Sequence, residues 1–295
     1  MTNKIIMIKT KLMNIKEPEY TKSLRSAYME IIDLLKTSFG LETEYLGKKP
    51  SWWGYSTSCY YLKAKNGEYV VSISKYSPNK AALVKKDIFL SNLIGLSFPT
   101  SSHLKTTKNA DFIVKNGYII KINHFISGTP PFDMNMKILK NAVKILKLIH
   151  SIQAPGIKID SPKRLSIYDN KKFLHGDLTP SNMLVSNNKI VCILDFEHCI
   201  LGPVEWDLAT CLVFSWYRMY ETISFETALK AAINYYGSKE INKSLLLKFS
   251  YEISETYLKN IVKNRLKYEN KDWWNVEHEF AKKRTGYLKT LLQDK

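Results

Sequence analysis

Two short apolar, β-branched stretches, Met183-Leu184-Val185 and Ile190-Val191-Cys192-Ile193-Leu194, flank Ser186-Asn187-Asn188-Lys189. Apolar strands around a turn-forming centre predict an antiparallel hairpin. What borders the hairpin matters most. His175-Gly176-Asp177-Leu178-Thr179-Pro180-Ser181-Asn182 runs into its first strand, and Asp195-Phe196-Glu197 follows its second. Asn182 and Asp195 therefore meet at the open end, where neighbours on adjacent strands lie about 5 Å apart. Any fold for this chain must bring that carboxamide and carboxylate together, with Asp177 on the loop just before them.

These residue types at this spacing suit phosphoryl transfer assisted by magnesium. A hard cation such as Mg²⁺ prefers oxygen ligands, typically one or two from protein and the rest from phosphates and water. Asn182 and Asp195 offer one of each kind. Asp177 is placed to accept the proton of a substrate hydroxyl attacking a γ-phosphate. His-Gly-Asp with Asn five residues after the Asp arises by chance in roughly one chain per thousand of this length. The nearby His175, Cys192, His198 and Cys199 lack the paired short spacings of a zinc site.

From His175 to Ala209 the chain reads HGDLTPSNMLV and then ILDFEHCILGPVEWDLA. This resembles the aminoglycoside phosphotransferase family, which also takes in choline-kinase-like and other small-molecule kinases. The resemblance implies a fold like that of protein kinases, with His-Gly-Asp where those have His-Arg-Asp. It implies Asp177 as catalytic base, Asn182 and Asp195 as magnesium ligands, and Glu197 as a further metal or water contact. It also implies that Asp207, in Trp206-Asp207-Leu208-Ala209, braces the catalytic loop through backbone hydrogen bonds. His175 is expected to make a structural hydrogen bond in the loop, and His198 to be a surface or packing residue.

The order of elements upstream is similar to that of a two-lobed kinase. Apolar positions at helical spacing over Tyr20–Phe39 end at Gly40, a helix stop. Tyr60-Tyr61-Leu62 and Tyr69 to Ser74, joined through Asn66-Gly67, predict a hairpin. Trp52 to Ser58 stands where kinases fold a glycine-rich loop over the phosphates. It holds one glycine, but small Ser56, Thr57 and Ser58 would let backbone N–H groups approach them. Related kinases carry a Lys or Arg two residues into the next strand, in a pattern like Tyr-Val-Leu-Lys. Here that position is Ser72. Lys75 is the nearest replacement, and Asp87, on a predicted helix Asn79–Leu96, stands where the family's Glu would pair with the cation. On a strand, Lys75 faces opposite Ser72 unless a bulge intervenes, so a cation from another segment, or no anchoring cation at all, is the alternative. Ile119–Phe125 is similar to the family's hinge strand, with backbone near Asn123 and Phe125 expected to meet the adenine.

Downstream, Met134–Ile152 is an amphipathic helix, and His150 at its end reads as structural. Helices are expected over Leu208–Thr222, Ser224–Tyr236, Leu245–Lys267 and Asn275–Leu292, with their aromatics mostly packed between them. The resemblance makes this region the acceptor pocket. Glu252 and Glu255 share a helix face and read as solvated.

Length and charge narrow the remaining classes. A chain of 295 residues is long enough for two lobes with cores of their own. Met1–Tyr20 is broken by lysines and reads as neither signal peptide nor membrane span. Leu208–Tyr217, the longest uncharged apolar stretch, is about half a membrane crossing. Four cysteines without a CxxC pair suit a reducing cytoplasm. The net charge is +17, but residues 201–295 hold 15 Lys/Arg against 12 Asp/Glu, so +14 lies in residues 1–200. There the lysines are scattered and no nucleic-acid motif accompanies them. A polyanionic nucleotide fits such a charge better than nucleic acid does.

The expectation is thus an α+β, bilobal, protein-kinase-like fold. A small lobe with an antiparallel sheet spans residues 1–125, and a larger, mainly helical lobe spans 126–295. Asp177 is the candidate base, and Asn182 and Asp195 the candidate metal ligands. Ser58, Lys75, Asp87, Asn123 and Phe125 are the candidates for holding ATP. The expected reaction is ATP- and Mg²⁺-dependent phosphorylation of a hydroxyl on an aminoglycoside, amino sugar, choline-like or similar molecule. A nucleotide-binding regulatory pseudokinase and a protein Ser/Thr kinase are the alternatives. Asp195 to Asp207 is too short for the long activation loop of the latter.

Overall fold

The computed structural model describes residues 28–48, 57–153, 159–265 and 271–293. Met1–Tyr20, the start of the helix expected from Tyr20, the loop residues Trp52–Ser56 and the end of the helix expected to reach Lys267 lie outside the described residues. The chain divides into two compact units, residues 1–127 and 128–295, a boundary two residues beyond the expected one.

The first unit is a sheet with a helix on each face. Its strands are β1 (Thr43–Lys48), β2 (Thr57–Ala64), β3 (Gly67–Lys75), β4 (His103–Leu104), β5 (Ile113–Lys115) and β6 (Tyr118–His124). They run antiparallel in the order β1-β2-β3-β6-β4, with β5 also on β6. Alternation along the strands sorts the side chains. Leu62, Val71, Ile73, Ile120 and Ile122 bury one face against Ile31, Leu35 and Phe39 of helix α1 (Tyr28–Phe39). Ile119, one residue out of phase with Ile120, meets Val84 and Ile88 of α2 (Pro78–Gly95) on the other. Ser77 starts α2 by accepting the Lys80 N–H on its Oγ at 3.1 Å, and Pro78 is tolerated at the first helical position. The sequence reading did not find β1, β4 or β5. β1 mixes charged and apolar residues without alternation, and the other two are two and three residues long.

The second unit begins with α3 (Met136–Ser151), capped by Asn135, whose Oδ1 accepts the N–H groups of Lys137 and Ile138 at 3.0 Å each. A short helix α4 (Lys163–Ser166) precedes β7 (Lys172–Leu174), the hairpin β8 (Met183–Ser186) and β9 (Lys189–Ile193), and β10 (Ile200–Gly202), which pairs with β7. Then come α5 (Val204–Tyr217), α6 (Phe225–Tyr236), α7 (Lys243–Arg265) and α8 (Lys271–Gln293). α5 starts one turn earlier than its apolar run suggested, because Pro203 stands at its cap and Glu205, Trp206 and Asp207 are buried with the rest. It also stops earlier. Trp216 donates its indole N–H to the Ile223 carbonyl at 3.0 Å, closing a turn over the residues after Tyr217. The same ring packs against Tyr220, Phe225 and Tyr287, so this aromatic group builds core between helices. Glu252 and Glu255 pair along α7 with Lys248 and Lys259, the solvated face expected of them. Among the described residues, no helix is long and apolar enough to cross a membrane.

Candidate active site

The site grows from the β8–β9 hairpin. Asn187 and Asn188 both take left-handed backbone angles, φ +51° and +58°, which is the geometry of the tight turn that matches strand twist. Met183 pairs with Ile193, and one rung further the Leu194 N–H donates to the Asn182 carbonyl at 2.9 Å. That last rung sets Asn182 and Asp195 at the same end of the hairpin. Pro180–Asn182 forms a single 3₁₀ turn into β8. Asp195 sits at φ +64°, where its carboxylate accepts the Glu197 N–H at 3.4 Å.

The loop before the hairpin is pinned from several sides. Asp207, fully buried at the start of α5, accepts the backbone N–H groups of His175 and Gly176, each at 2.8 Å. Its Oδ2 also lies 3.1 Å from His150 Nε2, and His150 Nδ1 lies 2.8 Å from the Tyr236 hydroxyl. Burial alone would push the Asp207 carboxyl up. The hydrogen bond and charge of His150, with the charge of His175 and the Gly176 N–H, outweigh it and hold the group below the ordinary carboxylate value. His175 is itself buried, with Nε2 3.1 Å from the Leu194 carbonyl and its ring on Phe196. It ties the loop to the far end of β9.

Gly176 has no substitute here. Its φ is +82°, and a Cβ would lie 2.1 Å from the His198 carbonyl oxygen.

Asp177 follows, half-buried at the mouth of this frame. The Asn182 amide donates to both its carbonyl, at 2.8 Å, and its Oδ2, at 2.9 Å. Ligand atoms of Asp177, Asp195 and His198 all lie within 4.8 Å of one another. Desolvation raises the Asp177 carboxyl to about 6; the charge of Asp195 adds to this, while His198 and the Asn182 amide pull the other way.

This arrangement provides a carboxylate held in one orientation, and beside it a group of oxygen donors able to hold a hard cation. The Asn182 nitrogen is spent on Asp177, which leaves the carboxamide oxygen as an acceptor. Together with the Asp195 carboxylate this suits Mg²⁺. His198 is exposed, in keeping with the expected surface position, and a ring nitrogen of it lies in the same group as the carboxylates of Asp177 and Asp195. Its neighbours reach it through the bend at Asp195, which strand patterning does not register.

The five expected nucleotide residues fall in the first unit. Ser58 lies on β2 opposite Ile73. Asn123 pairs with Val70 and His103, and its Nδ2 donates to the Ser101 carbonyl at 3.0 Å. Phe125 gives its backbone N–H to the Glu68 carbonyl at 2.9 Å and sets its ring edge-on to Tyr61. Lys75 ends β3 as an exposed residue, and the expected pair between Lys75 and Asp87 does not form. Asp87, buried on α2, instead holds Lys121 of β6, with Nζ and Oδ2 2.5 Å apart. Sequence reasoning missed Lys121. Its signal was Tyr118-Ile119-Ile120-Lys121, a Tyr-apolar-apolar-Lys run on a different strand from the one searched.

Residues 160–241 match the family model described as the phosphotransferase enzyme family, and this segment holds Asp177, Asn182, Asp195 and Asp207. Over this segment the chain is similar to that family. Its fold is that of the aminoglycoside phosphotransferases. Spectinomycin phosphotransferase, solved with ADP and spectinomycin, superposes with a TM-score of 0.60 at 15% identity, covering 86% of this chain and 93% of its own. Aminoglycoside 2′-phosphotransferase in its GDP complex gives 0.61 at 12%, with 88% and 98% covered. Macrolide 2′-phosphotransferase from Brachybacterium faecium, without ligand, gives 0.57 at 15%, with 85% and 96% covered. A sequence comparison with curated proteins returns no match.

Proposed function

We propose that this protein is a phosphotransferase that moves the γ-phosphoryl group of ATP or GTP to a hydroxyl of a small molecule, with Mg²⁺ as cofactor. The observation that carries the reading is the bond from Asn182 to Asp177 beside the carboxylate of Asp195. In this reading Asp177 accepts the proton of the substrate hydroxyl as its oxygen forms a bond to the γ-phosphorus. The bond from that phosphorus to the β-phosphate oxygen breaks, and the nucleoside diphosphate leaves with the electron pair. Asn182 holds the Asp177 carboxylate in place, which supplies orientation before the reaction begins. Asp195 and the Asn182 oxygen are the residues that would hold Mg²⁺, which when bound neutralises charge on the phosphates. Asp207 fixes the loop that carries Asp177.

The choice of a small acceptor is supported by two observations. The segment from Asp195 to Asp207 is short, with a 3₁₀ turn over Phe196–His198 and the three-residue strand β10 inside it, so it has no long loop on which to lay a peptide. The structural relatives named above are phosphotransferases of spectinomycin, a macrolide and an aminoglycoside, and two were solved with different nucleotides, ADP and GDP. Both donors are therefore candidates.

The test is phosphoryl transfer measured with ATP and with GTP, with and without Mg²⁺, against amino sugars, aminoglycosides, macrolides, choline and homoserine. A phosphate ester of one acceptor, formed only with Mg²⁺, is the expected result. Nucleotide binding without transfer to any acceptor would instead favour the regulatory reading.

A further inference from the structure

In the kinase-like arrangement, a lysine on the third strand contacts the nucleotide phosphates and is held by an acid on the following helix. Here the acid position is filled by Asp87 of α2, but β3 carries Ser72 where the lysine would stand. Lys121 is the direct cross-strand partner of Ser72. Residues paired across antiparallel strands lie about 4.5–5.5 Å apart and project to the same face. The ammonium that Asp87 holds thus comes from the same face of the sheet as the serine, displaced by one strand.

We propose that Lys121 is the phosphate-binding cation of this protein, with Asp87 as its positioning residue. The inference rests on the phosphotransferase reading. Three observations carry it. Lys121 and Asp87 are largely removed from water, their side chains 14% and 10% exposed. Withdrawing two charges from water is costly, and such a pair often adds no stability over an apolar one, so its retention calls for a role beyond packing. Lys121 also lies on the half-buried face, with Cys59, Val70 and Asn123, and not on the face that fills the core with Val71 and Ile122. Lys75 cannot take the role from where it stands: it is exposed, three residues from Ser72 on a regular strand, and so points away from that face.

The exchange of places makes a sharp test. Lys121→Met alone leaves Asp87 buried without its cation, so the binding variant is the double change Lys121→Met with Asp87→Leu, which keeps an apolar pair of similar size. Nucleotide affinity for ATP and GTP is measured calorimetrically, alongside circular dichroism to confirm the fold and steady-state KM for the nucleotide. Loss of a charge-assisted phosphate contact should weaken binding about ten- to a hundredfold while the fold persists. Adding Ser72→Lys to Lys121→Met, with Asp87 intact, should recover most of that loss, since the new ammonium starts one strand away on the same face. Unchanged affinity and KM in the folded double variant would overturn the inference while leaving the phosphotransferase reading intact. Loss of affinity in Lys75→Ala with none in the double variant would overturn it in favour of Lys75. A wild-type protein that binds neither nucleotide would overturn both.

Discussion

The Asn182 amide nitrogen donates to the Asp177 carboxylate at 2.9 Å and to the Asp177 carbonyl at 2.8 Å. One side chain thereby fixes the proposed base while keeping its oxygen for a cation. The two proposed metal ligands can be separated on this basis. Asp195→Ala removes the anionic ligand and should abolish the strengthening of nucleotide binding by Mg²⁺. Asn182→Ala removes a neutral ligand and also frees Asp177, so it should lower kcat more than it alters the Mg²⁺ dependence. Titrating nucleotide affinity against Mg²⁺ in both variants checks this; a wild-type Mg²⁺ response in Asp195→Ala would remove Asp195 from the metal site.

Asp207 predicts a stability effect with a defined sign. Its folded carboxyl lies below the ordinary carboxylate value near 3.8. A depressed folded pKa contributes stability that is present above the unfolded value and is lost as pH falls through the folded one. Asp207→Asn should therefore destabilise the protein at pH 7, by about 1–3 kcal/mol for a buried N–H left without its acceptor. The gap between wild type and variant should narrow below about pH 4. Urea unfolding at pH 7 and at successive values below pH 4 follows the narrowing. A gap that is constant across that range would show that the charge on Asp207 contributes nothing.

Glycine at 176 is required twice over, by its left-handed backbone and by the His198 carbonyl where a Cβ would go. Gly117 is the natural comparison, because its φ is +78° but nothing lies within 4 Å of its Cβ position. Gly117→Ala should cost only the handedness, about 1–2 kcal/mol. Gly176→Ala should cost more and should also abolish transfer, because the loop that carries Asp177 must move. Equal losses of stability in the two variants would mean that the His198 carbonyl yields freely.

The hairpin and its three polar residues were legible in the sequence because everything that sets them lies within about twenty residues. Turn chemistry, strand patterning and one backbone rung bring Asn182, Asp195 and Asp177 together. Lys121 was not legible in this way. Its pairing with Asp87 depends on β3 and β6 lying side by side, and a search along β3 alone leads to Lys75. His150 is a similar case. It read as a helix-end residue, but its contact with Asp207 spans 57 positions and links α3, α5 and α6 through Tyr236. His198 entered the cluster through a left-handed residue at Asp195, which no periodicity marks. Local pattern determines elements and turns; the partners of buried charges are set by packing between elements.

The central claim is that Asp177 takes the proton in phosphoryl transfer. Asp177→Asn keeps the shape of the side chain but removes the acceptor for that proton. The most direct measurement is kcat for transfer to an accepted hydroxyl in this variant, alongside its affinity for nucleotide. General-base catalysis is typically worth about 10²–10⁴ in rate, so kcat should fall by that factor while nucleotide affinity stays within a few-fold of wild type. Transfer by Asp177→Asn at the wild-type rate would contradict the account.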